Sequence, residues 1–101
     1  MEETYAALAL INNTDLRQFE MPVGSELARI TYKQTPHRIY LLHTEVSEGL
    51  KGKGAATAII EKTLRYIEDR QLKLVPICPM VVSYLKRHPE WNRVVYEEIP
   101  D

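Results

Sequence analysis

Glu48-Gly49-Leu50-Lys51-Gly52-Lys53-Gly54-Ala55-Ala56-Thr57 decides the fold, because it joins an extended apolar segment, Arg38-Ile39-Tyr40-Leu41-Leu42-His43-Thr44-Glu45-Val46, to a segment with helical periodicity. Glycines let a backbone turn sharply with its N–H groups converging, and the unpaired amides of a helix start carry partial positive charge. A strand, a glycine turn and a helix in that order form a seat for phosphate. From about Gly52 to Asp69, apolar or small residues at 56, 59, 60, 63, 64 and 67 trace the core-facing stripe of a helix. Leu72 to Ile77 follows as a short apolar run ended by proline, so it is a strand parallel to the one before the helix. Strand, helix and strand make a βαβ unit.

Upstream, Leu8–Ile11 and Leu16–Met21 are expected as a hairpin around Asn12-Asn13-Thr14-Asp15, and Pro22-Val23-Gly24-Ser25 as the next turn. Glu26–Lys33 is extended, with Ala28, Ile30 and Tyr32 on one side, and Gln34-Thr35-Pro36-His37 reverses the chain. In the next strand, strict alternation groups Tyr40, Leu42, Thr44 and Val46 against Ile39, Leu41, His43 and Glu45. Both faces begin apolar, which predicts a central strand covered on both sides. Pro79 suits the first position of a second helix ending near Arg87, and Val94-Val95-Tyr96 is expected as a last strand. The class is α/β, with antiparallel N-terminal strands joined to the βαβ unit in one mixed sheet.

The 101 residues correspond to a single domain spanning 1–101. A net charge of -1 gives no electrostatic footprint for nucleic acid or anionic lipid, so neither is an expected partner. The acidic start lacks a basic flank and a long apolar run, which points away from a signal or membrane span and toward the cytoplasm. Cys78 is alone and the three histidines are scattered, so no disulfide framework and no metal site are expected.

Two familiar phosphate loops do not fit. A P-loop needs lysine and a hydroxyl residue directly after its last glycine, where Ala55-Ala56 stands, and the dinucleotide fingerprint needs glycine at the position of Thr57. What remains, Lys51-x-x-Gly54-x-Ala56, resembles the Arg/Gln-x-x-Gly-x-Gly/Ala signature of the GCN5-related N-acetyltransferases (GNAT), with lysine keeping the charge of the usual arginine. His43-Thr44-Glu45-Val46, Gly52-Lys53-Gly54, Pro76-Ile77-Cys78-Pro79 and Arg87-His88-Pro89-Glu90-Trp91 are similar, in order, to landmarks of its small single-domain members, described as YjdJ-like or N-acetyltransferase domain-containing.

The resemblance implies the acyl-CoA N-acyltransferase fold, acetyl coenzyme A as co-substrate and an amine as acceptor, either a small molecule or a protein lysine. It implies that the amides of Gly52, Lys53, Gly54, Ala55 and Ala56 receive the pyrophosphate and that Val46 lies beside the pantetheine arm. It also implies that the parallel strands splay apart where the thioester lies, with Cys78 and the polar end of the preceding strand bordering the gap. Lys51 and Lys53 are candidate phosphate contacts, with Lys53 favoured, although loop lysines are commonly only solvated.

Acyl transfer to an amine needs a proton acceptor for the amine and a proton donor for the departing thiolate. His43 and Glu45, two apart on a strand, share a face and are candidates for the base; each has an ordinary alternative in pairing with a neighbour. Cys78 is a candidate nucleophile or acid, set against the inert role of most buried cysteines. Tyr84 is a second candidate acid, suggested by a tyrosine on the corresponding helix of larger relatives. Met80 stands where the small members carry an aromatic. The rival to an enzyme is a non-catalytic acyl coenzyme A sensor or interaction module. The oligomeric state is left open.

Overall fold

The computed structural model describes residues 3–97. After a single helical turn, α1 (Glu3–Ala6), come the strands β1 (Ile11–Asn13), β2 (Gln18–Val23), β3 (Glu26–Gln34) and β4 (Arg38–Val46). A 3₁₀ turn at Glu48–Leu50 leads to α2 (Ala55–Asp69), then β5 (Lys73–Pro76), α3 (Pro79–Arg87) and a 3₁₀ segment at Pro89–Val94. The strands form one sheet in chain order, antiparallel from β1 to β4 and parallel between β4 and β5. This is the mixed sheet expected, completed by the βαβ unit.

Turn chemistry moves several boundaries. Asn12 and Asn13 pair with Phe19 and Gln18 as part of β1, so the first hairpin lies later than the polar run suggested. Pro22 and Val23 stay in β2 opposite Leu27 and Glu26, and the turn shrinks to Gly24-Ser25. Gly24 has φ +61°, a left-handed value that a two-residue hairpin loop requires and glycine supplies without strain. The expected strand at Val94–Tyr96 is not formed. The 3₁₀ segment reaches Val94, and only a parallel bridge from Val95 to Leu74, with Tyr96 N–H bonded to Leu74 C=O at 2.8 Å, remains on the β5 edge.

Coverage of the sheet also differs from expectation. Phe19, Met21, Ala28, Ile30, Ile39, Leu41 and Leu74 are fully buried, whereas the residues alternating with them, Glu20, Arg29, Thr31, Tyr40 and Val75, are partly exposed. One face is therefore packed under the helices and the other is open. α2 contributes Ala58, Ile59, Ile60, Thr63, Leu64 and Ile67 to that layer; the buried Thr63 hydroxyl donates to Ile59 C=O at 2.8 Å, one turn back. α3 adds Val81, Tyr84 and Leu85, and Trp91 closes the edge.

The strict alternation assumed for β4 fails at one residue. Thr31 pairs with His43 and Tyr32 with Leu41, which leaves Leu42 as an extra residue, a β-bulge. A single inserted residue exchanges the faces of everything beyond it. Ile39 and Leu41 face the helices as before, but beyond the bulge Thr44 and Val46 join them, across from Ile30 and Ala28. His43 and Glu45 point to the open face.

Candidate coenzyme cleft

β4 outruns β5. Their pairing ends at Leu41 and Pro76; the amides of Ile77 and Cys78 both bond Leu41 C=O, at 3.1 and 2.9 Å, and the chain then turns into α3. The remaining length of β4, Leu42 to Val46, has no partner strand on that side among the described residues. A cleft of about 560 Å³ opens there, walled by Thr44, Glu45 and Val46, by the turn at Leu50, Lys51, Gly52 and Gly54, by Ala55–Thr57 of α2, and by Met80 of α3.

The mouth of the cleft is the glycine turn. Gly52 and Gly54 have φ +73° and +81°, and nothing lies within 4 Å of the point where a Cβ on Gly52 would sit, so the backbone presents open concave space. Gly54 caps α2 with no side-chain hydrogen bond, and the first intrahelical bond runs from Ala58 N–H to Gly54 C=O at 3.0 Å. The amides of Ala55, Ala56 and Thr57 are thus left without intrahelical acceptors at the positive end of the dipole, and the first turn holds no acidic residue. The buried Tyr5 steadies the turn from outside by donating its hydroxyl to Lys53 C=O at 2.9 Å.

Behind the inner wall lies a buried thiol. Cys78 is 2% exposed and caps α3, and its Sγ lies 3.3 Å from Thr44 Oγ1. Thr44 lines the cleft, so this hydroxyl links the buried thiol to the open volume. The bulge is what brings Thr44 there. Unbroken alternation would turn it away, which is why the sequence pattern did not mark it.

The candidate residues divide accordingly. Val46, Lys51, Gly52, Gly54, Ala55 and Ala56 line the cleft, as does Glu45. His43, Lys53, Cys78 and Tyr84 are not part of the lining; Cys78 lies buried behind Thr44. Of the two lysines, Lys51 is at the cleft, paired with Glu48 at 2.8 Å, while Lys53 offers its backbone carbonyl to Tyr5. Glu45 sits in an open-face network in which Arg29 donates to its Oε2 at 2.7 Å and to Gln18 Oε1 at 3.3 Å. The hydrogen bond from Arg29, followed by its charge, holds the Glu45 carboxyl below the ordinary carboxylate range. Tyr84 is buried, its ring stacked on His88 with centroids 4.2 Å apart. Burial raises its pKa, with nearby Glu61 adding to the shift and a hydrogen bond with Trp91 opposing it. Thr57 and Met80, neither of them a candidate site residue in the sequence, complete the walls. Among the described residues, no three His, Cys, Asp or Glu side chains converge to hold a metal ion, and no helix is long and apolar enough to cross a membrane.

No curated protein matches the chain. A family model does: the one described as GCN5-related N-acetyltransferase matches residues 18–94, from the start of β2 to the end of the second 3₁₀ segment, and takes in the whole cleft. With the mixed five-stranded sheet, the glycine turn opening α2 and the divergence of β4 from β5 in place, the chain belongs to the GCN5-related N-acetyltransferase family.

Proposed function

We propose that the chain binds acetyl coenzyme A in this cleft and transfers the acetyl group to an amine. The observation that carries the reading is one continuous cavity with an amide cradle at its mouth and Thr44, in contact with Cys78, on its inner wall. The bound coenzyme would supply an activated acyl thioester; everything else falls to the chain. Backbone amides of Gly52–Ala56 hold diphosphate charge without losing side-chain entropy, and Lys51 adds a cation beside them. The unpaired edge of β4 leaves backbone groups of Thr44–Val46 free to bond an extended amide-bearing arm.

Transfer breaks the bond from acyl carbon to sulfur and forms one to nitrogen, with a proton leaving the amine and one reaching the thiolate. Cys78 is the group suited to the sulfur side, as nucleophile or as proton donor, because its thiol lies directly behind the cleft wall, 3.3 Å from the Thr44 hydroxyl that lines it. Glu45 is the group suited to the amine side, since it lies at the cleft wall yet extends from the open face of the sheet. His43 shares that face and extends the same polar surface.

Isothermal titration with acetyl coenzyme A, free coenzyme A and ATP tests the binding half. The expected result is affinity for both coenzymes in the micromolar range, roughly −8 kcal/mol, with little for ATP. Absence of heat with all three ligands would end the reading. For the transfer half, Cys78→Ala is expected to keep coenzyme affinity and to lower turnover by about 10²-fold or more, the scale of a lost proton-transfer group. Glu45→Gln should behave in the same way. Unchanged turnover in either variant removes that residue from the mechanism.

A further inference from the structure

The segment before β1 lies against α2 as a short strap. Leu8 N–H bonds Tyr5 C=O at 3.0 Å, and Lys62 of α2 donates its Nζ to Ala6 C=O at 3.2 Å and to Leu8 C=O at 2.8 Å. A side chain of α2 thus satisfies carbonyls that a single helical turn leaves without donors. Tyr5, 4% exposed, belongs to the same buried core as Leu50 and Ala55, which stand on either side of the glycine turn. The strap precedes residues 18–94, the part of the chain that the family model matches.

The Tyr5 hydroxyl donates to Lys53 C=O at 2.9 Å. The peptide joining Lys53 to Gly54 is trans, so its carbonyl and its N–H point to opposite sides. Gly54 lines the cleft and Lys53 does not. With the carbonyl tied to Tyr5 on the outside, the Gly54 N–H is directed to the cleft side, and it makes no hydrogen bond among the described residues. The same peptide rotated by half a turn would set a carbonyl oxygen, with its partial negative charge, where converging amides suit an anion. Gly54 leaves that rotation sterically open, because it has no Cβ to oppose either orientation.

We infer that Tyr5 is a positioning residue for the coenzyme cradle: its hydroxyl fixes this peptide with the Gly54 N–H facing the cleft, where a diphosphate oxygen is to be received. The inference rests on the coenzyme reading above. Core packing accounts for the ring of Tyr5, which phenylalanine would supply equally well. A buried tyrosine hydroxyl needs a partner, and here that partner is the carbonyl between the two glycines that line the cleft. Lys62 anchors the strap to α2, the helix whose first-turn amides complete the cradle, so Tyr5 and those amides share one rigid support.

The chain has four glycines, so full-length protein carrying the heavy nitrogen isotope at glycine alone gives four backbone amide signals in a nuclear magnetic resonance spectrum. Gly52 and Gly54 line the cleft; Gly24 and Gly49 do not, and serve as controls. Saturating coenzyme A should move the Gly54 amide proton of wild type downfield as a charge-assisted hydrogen bond forms. Tyr5→Phe keeps the buried ring and removes only the hydroxyl. In that variant the Gly54 shift should fall by about half or more with the Gly52 shift kept, and calorimetry should show coenzyme A affinity lowered about fivefold, part of one hydrogen bond to a charged group. Affinity within about twofold of wild type would overturn the inference. Equal behaviour of Gly52 and Gly54 in the variant, with both shifts kept or both lost, would assign Tyr5 to packing alone and overturn it too. So would a Gly54 amide that coenzyme A binds without moving in wild type, an outcome that decides the matter even if Tyr5→Phe fails to fold. Wild type that binds no coenzyme A ends the coenzyme reading itself, and this inference falls with it.

Discussion

At the residue scale, Gly54 is the sharpest test of the turn. Its φ of +81° costs a side-chain-bearing residue about 1–2 kcal/mol, so Gly54→Val should remain folded with a modestly lower denaturation midpoint. The same substitution should lower coenzyme affinity by about tenfold or more, because the cap of α2 and the amides beside it are displaced. Thr31 works in the opposite direction. Its Oγ1 is buried with no hydrogen-bond partner among the described residues, so Thr31→Val, which keeps the β-branched shape and removes the orphaned group, should stabilise by about 1 kcal/mol in chemical denaturation. The acid limb of stability involves Glu45 and Glu68, both held below their ordinary value of 4.5 mainly by hydrogen bonds from Arg29 and Arg93. A lowered folded pKa means that their contribution is present above that value and is lost as pH falls through the folded values. Both are solvent-exposed pairs, so replacing either glutamate with glutamine should flatten the acid limb only slightly.

At the scale of elements, α2 holds the two-layer packing together. Leu64 is fully buried on its inner stripe, and Leu64→Ala should cost about 2–5 kcal/mol, read from the urea midpoint at unchanged slope. The bulge in β4 has a functional consequence instead. Deleting Leu42 would leave Tyr32 opposite Leu41 and Thr31 opposite His43, so pairing with β3 is retained. The strand would lose its local bend, and with it the setting of Thr44 against Cys78. Coenzyme affinity and turnover should therefore fall in a protein that stays folded. The βαβ unit and its glycine turn were legible in the chain because apolar periodicity and glycine placement are local properties. The bulge was not, since Leu41-Leu42 satisfies either register and only pairing with β3 selects between them. The C-terminal segment misled for a related reason: Val94-Val95-Tyr96 has strand propensity, yet the 3₁₀ run from Pro89 absorbs its first residue.

For the molecule as a whole, ligand linkage is the most general prediction. A coenzyme that binds only the folded chain stabilises it by about 2.7 kcal/mol at one hundred times its dissociation constant. In a chain of 101 residues that corresponds to a Tm rise of about 10 °C or more. Trp91, the only tryptophan and 8% exposed, makes its fluorescence a reporter of the transition. Saturating acetyl coenzyme A without a Tm shift would contradict binding to the folded state.

Composition, periodicity and the placement of glycine and proline determined the α/β class, the order of the main elements and the glycine turn, because each is a property of neighbours along the chain, and the resemblance of Lys51-x-x-Gly54-x-Ala56 and its companion motifs pointed to the family. Tertiary structure alone decided which sheet face is buried, where β4 and β5 part, and which side chains meet at that point. Thr44 and Cys78 are 34 residues apart and are brought to 3.3 Å by a one-residue bulge and the early end of a partner strand. The same bulge turns His43 and Glu45 to the open face. Contacts of that kind depend on register and on where strands stop pairing, which no local pattern encodes.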